Sequence, residues 1–134
     1  MIITRNEYVD ICKKYKISIN TVEKDLPILL HQKISSLIAS EVFEIKDSEI
    51  LSAIRCHTTL KANPSDLDMI LFLSDKLKWD QPGIPPYKKD IENALSISLE
   101  SACYAYINYI QENNMIIKPH PELIKAYDFL KTYA

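Results

Sequence analysis

Glycine is almost missing from this chain: Gly83 is the one glycine in 134 residues. Glycine-rich phosphate loops and dinucleotide fingerprints need several glycines for close backbone approach, so both are excluded. Proteins rich in tight β-hairpins are disfavoured for the same reason. Cysteine is scarce as well. Cys12, Cys56 and Cys103 are scattered and odd in number, with no Cys-x-x-Cys pair to suggest zinc or redox chemistry. That usage points to a reducing, cytoplasmic setting. No run of 18 apolar residues occurs, so no membrane span is expected. The opening MIITRNEYVD lacks the charged, apolar and cleavage segments of a secretory signal. Excess basic charge is absent too. The net charge is −2, which disfavours a nucleic-acid binder, since such proteins carry a basic face.

What is present is an ordinary globular composition, with 47% hydrophobic and 25% charged residues. The length fits one domain, residues 1–134, with one core. Little glycine and many Leu, Ile, Lys and Glu predict an all-α, compact helical array. Thr4 and Glu7 have capping-box spacing and open a helix to about Lys14. Residues 18–25 read as a short helical turn or connector. Pro27 suits the first turn of a helix running to about Phe43. Asp47 or Ser48 caps a helix to about Cys56 or His57. Asn63-Pro64 signals a further helix, Ser65 to about Lys78, with Leu67, Ile70, Leu71 and Ser74 expected towards the core. Residues 79–86, WDQPGIPP, form a rigid loop because three prolines forbid regular structure. One long helix, about Tyr87 to Asn113, is expected next, and Pro119 or Pro121 opens the last.

Two polar residues stand on stripes that otherwise look like core. His57 ends the stripe of Ile50, Ala53 and Ile54, and Asp75 lies four residues after Leu71. His31 shares a side with Ile34 and Ile38. A lone histidine on such a face is commonly a packed core residue. An aspartate is seldom buried without a partner, and Lys76, Lys78 or Arg55 would supply a salt bridge. Lys76 is the poor candidate, because adjacent helical residues do not face each other. The other reading is a mixed nitrogen and oxygen metal site made by His31, His57 and Asp75, suited to iron, manganese or zinc. Thr58 and Thr59 are either helix-terminal capping groups or hydroxyl donors beside His57. His120, between two prolines, is read as the cap of the last helix. The tyrosines at 104, 106 and 109 fit a partly buried helix.

Three stretches, LLHQKISSLIASEVFEI, EILSAIRCHTTL and DMILFLSDKLKWDQPGIPPY, together with PHPELIKAYDFL, resemble the YqeK-type branch of the HD-domain metal-dependent phosphohydrolases. The resemblance covers nearly the whole chain in order. It implies an HD-like all-α fold, a two-metal centre that is usually iron, and hydrolysis of symmetrical dinucleoside tetraphosphates such as Ap4A to two nucleoside diphosphates. It further implies that His31 and His57 bind the second metal and Asp75 the first, so the three need not converge on one ion. Thr58, Thr59 and Lys76 would lie near nucleotide phosphates. The family's first histidine and His-Asp doublet would precede Met1, and no His-Asp pair occurs in this sequence. The expectation is therefore an N-terminally truncated HD-like domain lacking the half-site that generates the nucleophile. The rival expectation is a non-catalytic helical module that binds nucleotide or oligomerises, with a homodimer formed across exposed core surface.

Overall fold

The computed structural model describes residues 4–134. Eight α-helices follow one another, and no strand occurs among the described residues. They are α1 (Arg5–Lys14), α2 (Thr21–Asp25), α3 (His31–Glu41), α4 (Ser48–Arg55), α5 (Asp66–Leu77), α6 (Lys88–Leu95), α7 (Leu99–Glu112) and α8 (Pro121–Leu130).

Local chemistry sets most of these boundaries. Thr4 and Glu7 form the expected capping box on α1. Asn20 and Glu23 form another on α2, and Ser65 and Asp68 a third on α5. Asp47 accepts the amides of Glu49 and Ile50 at the start of α4. His120 caps α8 through its ring, with Pro121 at the first helical position.

Two expected helices are interrupted. The segment from Pro27 begins as a 3-10 turn, Pro27–Leu30, before α3 starts at His31. The long helix expected over residues 87–113 breaks between Leu95 and Leu99. Ser98 stops it: its extended backbone leaves the helix, and its side chain accepts the Ser101 amide to start α7 afresh.

A larger correction concerns α5. Its buried face is Met69, Phe72, Leu73 and Lys76, while Ile70, Ser74 and Asp75 are exposed. The run MILFL is apolar all round, so two adjacent helical stripes compete for the core. The winning stripe sets Phe72 edge-on against Tyr106 of α7, 5.4 Å between centroids. The tyrosine helix thereby decides which way α5 faces.

Helix α7 packs against α5, α6 and α8, and α4 lies between α3 and α5. The main core runs through α5–α8, with Phe72, Ile91, Ile107 and Leu130 fully buried. A smaller cluster of Cys12, Leu30 and Ile34 holds α1 against α3. No helix among the described residues is long and apolar enough to cross a membrane.

Candidate metal site

His31 begins α3, and His57 lies in the turn just after α4. Each ring is fixed from behind. His31 Nδ1 is 2.7 Å from the Ile28 carbonyl and His57 Nδ1 is 2.6 Å from the Ile54 carbonyl. A carbonyl only accepts, so both Nδ1 atoms carry the proton. In the neutral rings each Nε2 then presents a lone pair. Those two atoms lie 3.0 Å apart, with the rings edge-to-face. Two lone pairs at that separation repel. A shared proton or a cation relieves the repulsion, and two nitrogens about 2.0–2.1 Å from one ion would stand about 3 Å apart as adjacent ligands. The pair therefore fits a metal ion as two of its ligands.

Burial holds the His31 ring below its ordinary pKa. The Ile28 carbonyl and Asp75 oppose that shift, while His57 and Lys76 add to it. A neutral imidazole is the form that ligates. Thr58 points its hydroxyl at His31 Nε2, 3.0 Å away, and as the partner with a proton it donates.

Behind the pair lies Gln32, only 2% exposed. Its Oε1 accepts the Thr58 amide at 3.0 Å and its Nε2 donates to Thr59 Oγ1 at 3.1 Å. Thr59 in turn donates to the Leu60 carbonyl. This buried amide fixes the turn that carries His57 to the helix that carries His31. Gln32 escaped the sequence reading, since nothing in its spacing separates it from a surface glutamine. The Thr59 hydroxyl is engaged on both sides by the protein itself.

Asp75 does not join the histidines. Its side chain is 46% exposed and pairs with Lys76 Nζ at 3.0 Å. The adjacent-residue argument against this pair fails because the long lysine stem curls back. Lys76 is buried along its stem, lies over the Phe72 ring at 4.8 Å, and also donates to the His57 carbonyl. Burial pushes its pKa down, and Asp75 partly restores it. Among the described residues, no group of three or more His, Cys, Asp or Glu side chains is arranged to hold one ion. The structure thus unites His31, His57 and Thr58, and it attaches Asp75 to them only through Lys76.

His120 caps the last helix as expected, but its buried partner was not foreseen. His120, 3% exposed, accepts the Glu122 amide at Nδ1, which leaves Nε2–H to donate to Glu23 at 3.1 Å. Glu23 is fully buried and also takes Lys33 Nζ at 2.7 Å. Burial pushes its carboxyl up, but Lys33, the Asn20 amide and His120 outweigh burial and hold it below its ordinary value. The Asn20-x-x-Glu23 spacing was the available signal for the cap, although not for the partner 97 residues away.

No family model matches the chain. It is 41% identical over 121 residues to an uncharacterized protein in the pepC 5′ region of Lactococcus lactis subsp. cremoris. It is 29% identical over 104 residues to a symmetrical bis(5′-nucleosyl)-tetraphosphatase of Halalkalibacterium halodurans. A probable nicotinate-nucleotide adenylyltransferase/Ap4A hydrolase of Mycoplasma genitalium is 32% identical over 80 residues. These matches cover 90%, 76% and 53% of this chain but only 62%, 54% and 23% of those proteins. The fold matches the crystal structure of a predicted HD superfamily hydrolase involved in NAD metabolism from Clostridium acetobutylicum. The TM-score is 0.81 at 20% identity, over 98% of this chain and 69% of the other. The chain spans less than two thirds of the three sequence relatives' length; its likeness to proteins named tetraphosphatase and Ap4A hydrolase, and a fold shared with an HD superfamily hydrolase, support the resemblance to the YqeK-type HD-domain proteins.

Proposed function

We propose that this chain carries one part of a metal-dependent phosphohydrolase centre for dinucleoside polyphosphates of the Ap4A type. The observation that carries the reading is the facing pair of Nε2 atoms, 3.0 Å apart, with both Nδ1 atoms tied to backbone carbonyls. His31 and His57 would hold one divalent ion, with iron the first choice and manganese or zinc the alternatives. Asp75 would address a second ion. When bound, such ions lower the pKa of a coordinated water and clamp phosphoryl oxygens. The chain's own residues have narrower tasks. Gln32 holds the two histidine-bearing segments together. Thr58 offers its hydroxyl, and Lys76 its ammonium, to phosphoryl oxygens at the mouth of the pair. Thr59 supports Gln32 rather than ligand. The relatives named as tetraphosphatase and Ap4A hydrolase support this substrate class. A cytoplasmic setting suits the three free, buried cysteines.

Metal analysis of the purified protein, joined to a chromatographic assay of Ap4A conversion to ADP, tests the proposal. Stoichiometric metal that disappears in His31→Ala, with ADP release from the unsubstituted chain, is the expected outcome. A metal-free, inert protein would overturn it.

A second reading has its own support in an apolar surface. Between α4 and α5 runs a groove of about 220 Å³ lined by Ile50, Ile54, Leu67, Ile70 and Leu71. Nearby on the chain, Val42 and Phe43 are also largely exposed. That reading is a non-catalytic helical module that self-associates through this face. Light scattering separates the two: a stable inactive dimer favours the module, and an active monomer removes it.

A further inference from the structure

Apart from the histidine pair, the molecule has a cleft of about 600 Å³ whose walls come from α3, α4, the segment after α4, and α8. None of His31, His57, Thr58, Asp75 or Lys76 lines it. Four cations do: Lys33 of α3, Arg55 of α4, Lys61 and Lys125 of α8. One carboxylate, Glu122, shares the lining and pairs with Lys125 at 3.4 Å.

Two of the other cations are held from behind. Lys33 is fastened by Glu23 at 2.7 Å and Lys61 by Asp68 at 3.4 Å. Both carboxylates are fully buried and neither lines the cleft. The ammonium groups are therefore fixed in place while their counter-charges stay in the interior. Arg55 is exposed and makes no ion pair among the described residues. Its guanidinium is free to engage an oxyanion bidentately. Neutral polar side chains, including Gln32 and Ser52, complete the lining, the Ser52 hydroxyl being committed to Asp68.

We infer that this cleft binds an oligophosphate chain, as a second anion site separate from the histidine pair. Arg55 is the one cation of this lining without a counter-charge among the described residues, and the ion-paired Lys33, Lys61 and Lys125 set further ammonium groups along the wall, an arrangement that suits a ligand with several negative groups along its length. No Phe, Tyr or Trp lines the cleft, so it offers no stacking platform for a base. The phosphates are the recognised part, whether free or carried on a nucleotide.

Calorimetric titration of tripolyphosphate into the full chain, in low salt with a chelator present, tests this without reference to metal or hydrolysis. One saturable site is expected, weakening as salt is raised. Arg55→Ala combined with Lys125→Ala should weaken it at least about tenfold through the lost charge-assisted bonds. Both residues are exposed, so the melting temperature should hold. His31→Ala should leave the affinity unchanged. A parallel titration with ADP distinguishes the sources: equal binding with the same losses assigns a nucleotide's phosphates, and weaker binding assigns the free chain. Absence of saturable binding, or equal affinity in the double variant, would overturn the site. So would loss in His31→Ala alone.

Discussion

Two histidine sites in one small helical array invite comparison. At His120 both ring nitrogens have protein partners: Nδ1 takes a backbone amide, and Nε2–H meets a buried carboxylate that Lys33 also neutralises. At His31 and His57 only the outer nitrogens are satisfied by the backbone, and the inner ones confront each other. Burial does not separate these sites, since the more buried histidine belongs to the closed one. Completion does. A closed network rigidifies and specifies the fold. A pair of facing acceptors leaves a place for something that brings positive charge.

The largest expected effect sharpens that contrast. His31→Ala or His57→Ala should cut bound metal at least tenfold, on the order of the loss seen when a metal's ligand support is removed. Folding should be little affected. Metal content by mass spectrometry beside a thermal melt measures both, and metal retained in both variants would erase the distinction. The converse substitution, His120→Ala, should leave metal content alone and cost about 2–3 kcal/mol, because Glu23 loses a partner inside the protein. Urea titration reads that cost, and a loss below about 0.5 kcal/mol would mean the clasp is incidental.

The third prediction uses pH. Glu23 and Asp68 both sit below their ordinary values of 4.5 and 3.8 when folded. Burial opposes this in each case. For Asp68 the Ser65 amide, Ser52 and Lys61 outweigh it. A depressed carboxyl contributes stability above its unfolded pKa, and that contribution is lost as pH falls through the folded one. Stability should therefore drop with acid from about pH 4.5 downwards, by at most about 1.4 kcal/mol per pH unit for each group. Glu23→Gln should flatten that slope in denaturation curves taken at several pH values. An unchanged slope would remove Glu23 from the account. The smallest effect belongs to Thr58→Val. Losing one hydroxyl from the edge of the open pair should change stability by less than about 1 kcal/mol. A larger loss would show that the open site is as internally braced as the closed one.

Much of the architecture was legible because it rests on local chemistry. The capping box at Thr4, the Asp47 cap and the Pro121 start each depend on residues within one turn. The orientation of α5 was not legible, because Met69-Phe72-Leu73 and Ile70-Leu71-Ser74 satisfy the same periodicity. Contact with Tyr106 decides between them. The break at Ser98 was equally hidden, since Leu95 and Leu99 keep helical spacing across it. At the site, the histidines could be found from their stripes and from resemblance. Gln32 and the burial of Lys76 could not, because both follow from partners distant in sequence.

The Glu23–His120 bond has a kinetic meaning as well. It ties together residues 97 positions apart, and it can form only when α2 and the start of α8 are already near one another. Closing a loop of that span costs little more than a shorter one, about 0.6 kcal/mol per doubling. Yet such closure slows folding when it must precede the reward. Helices α1 and α2 rest on a cluster smaller than the main core, Cys12, Leu30 and Ile34 with partly buried hydrophobics around them. They should then be the first part to open, as a unit, while α5–α8 stay closed. Hydrogen exchange in His120→Ala would reveal this as faster exchange confined to α1 and α2, and an even rise along the chain would contradict it.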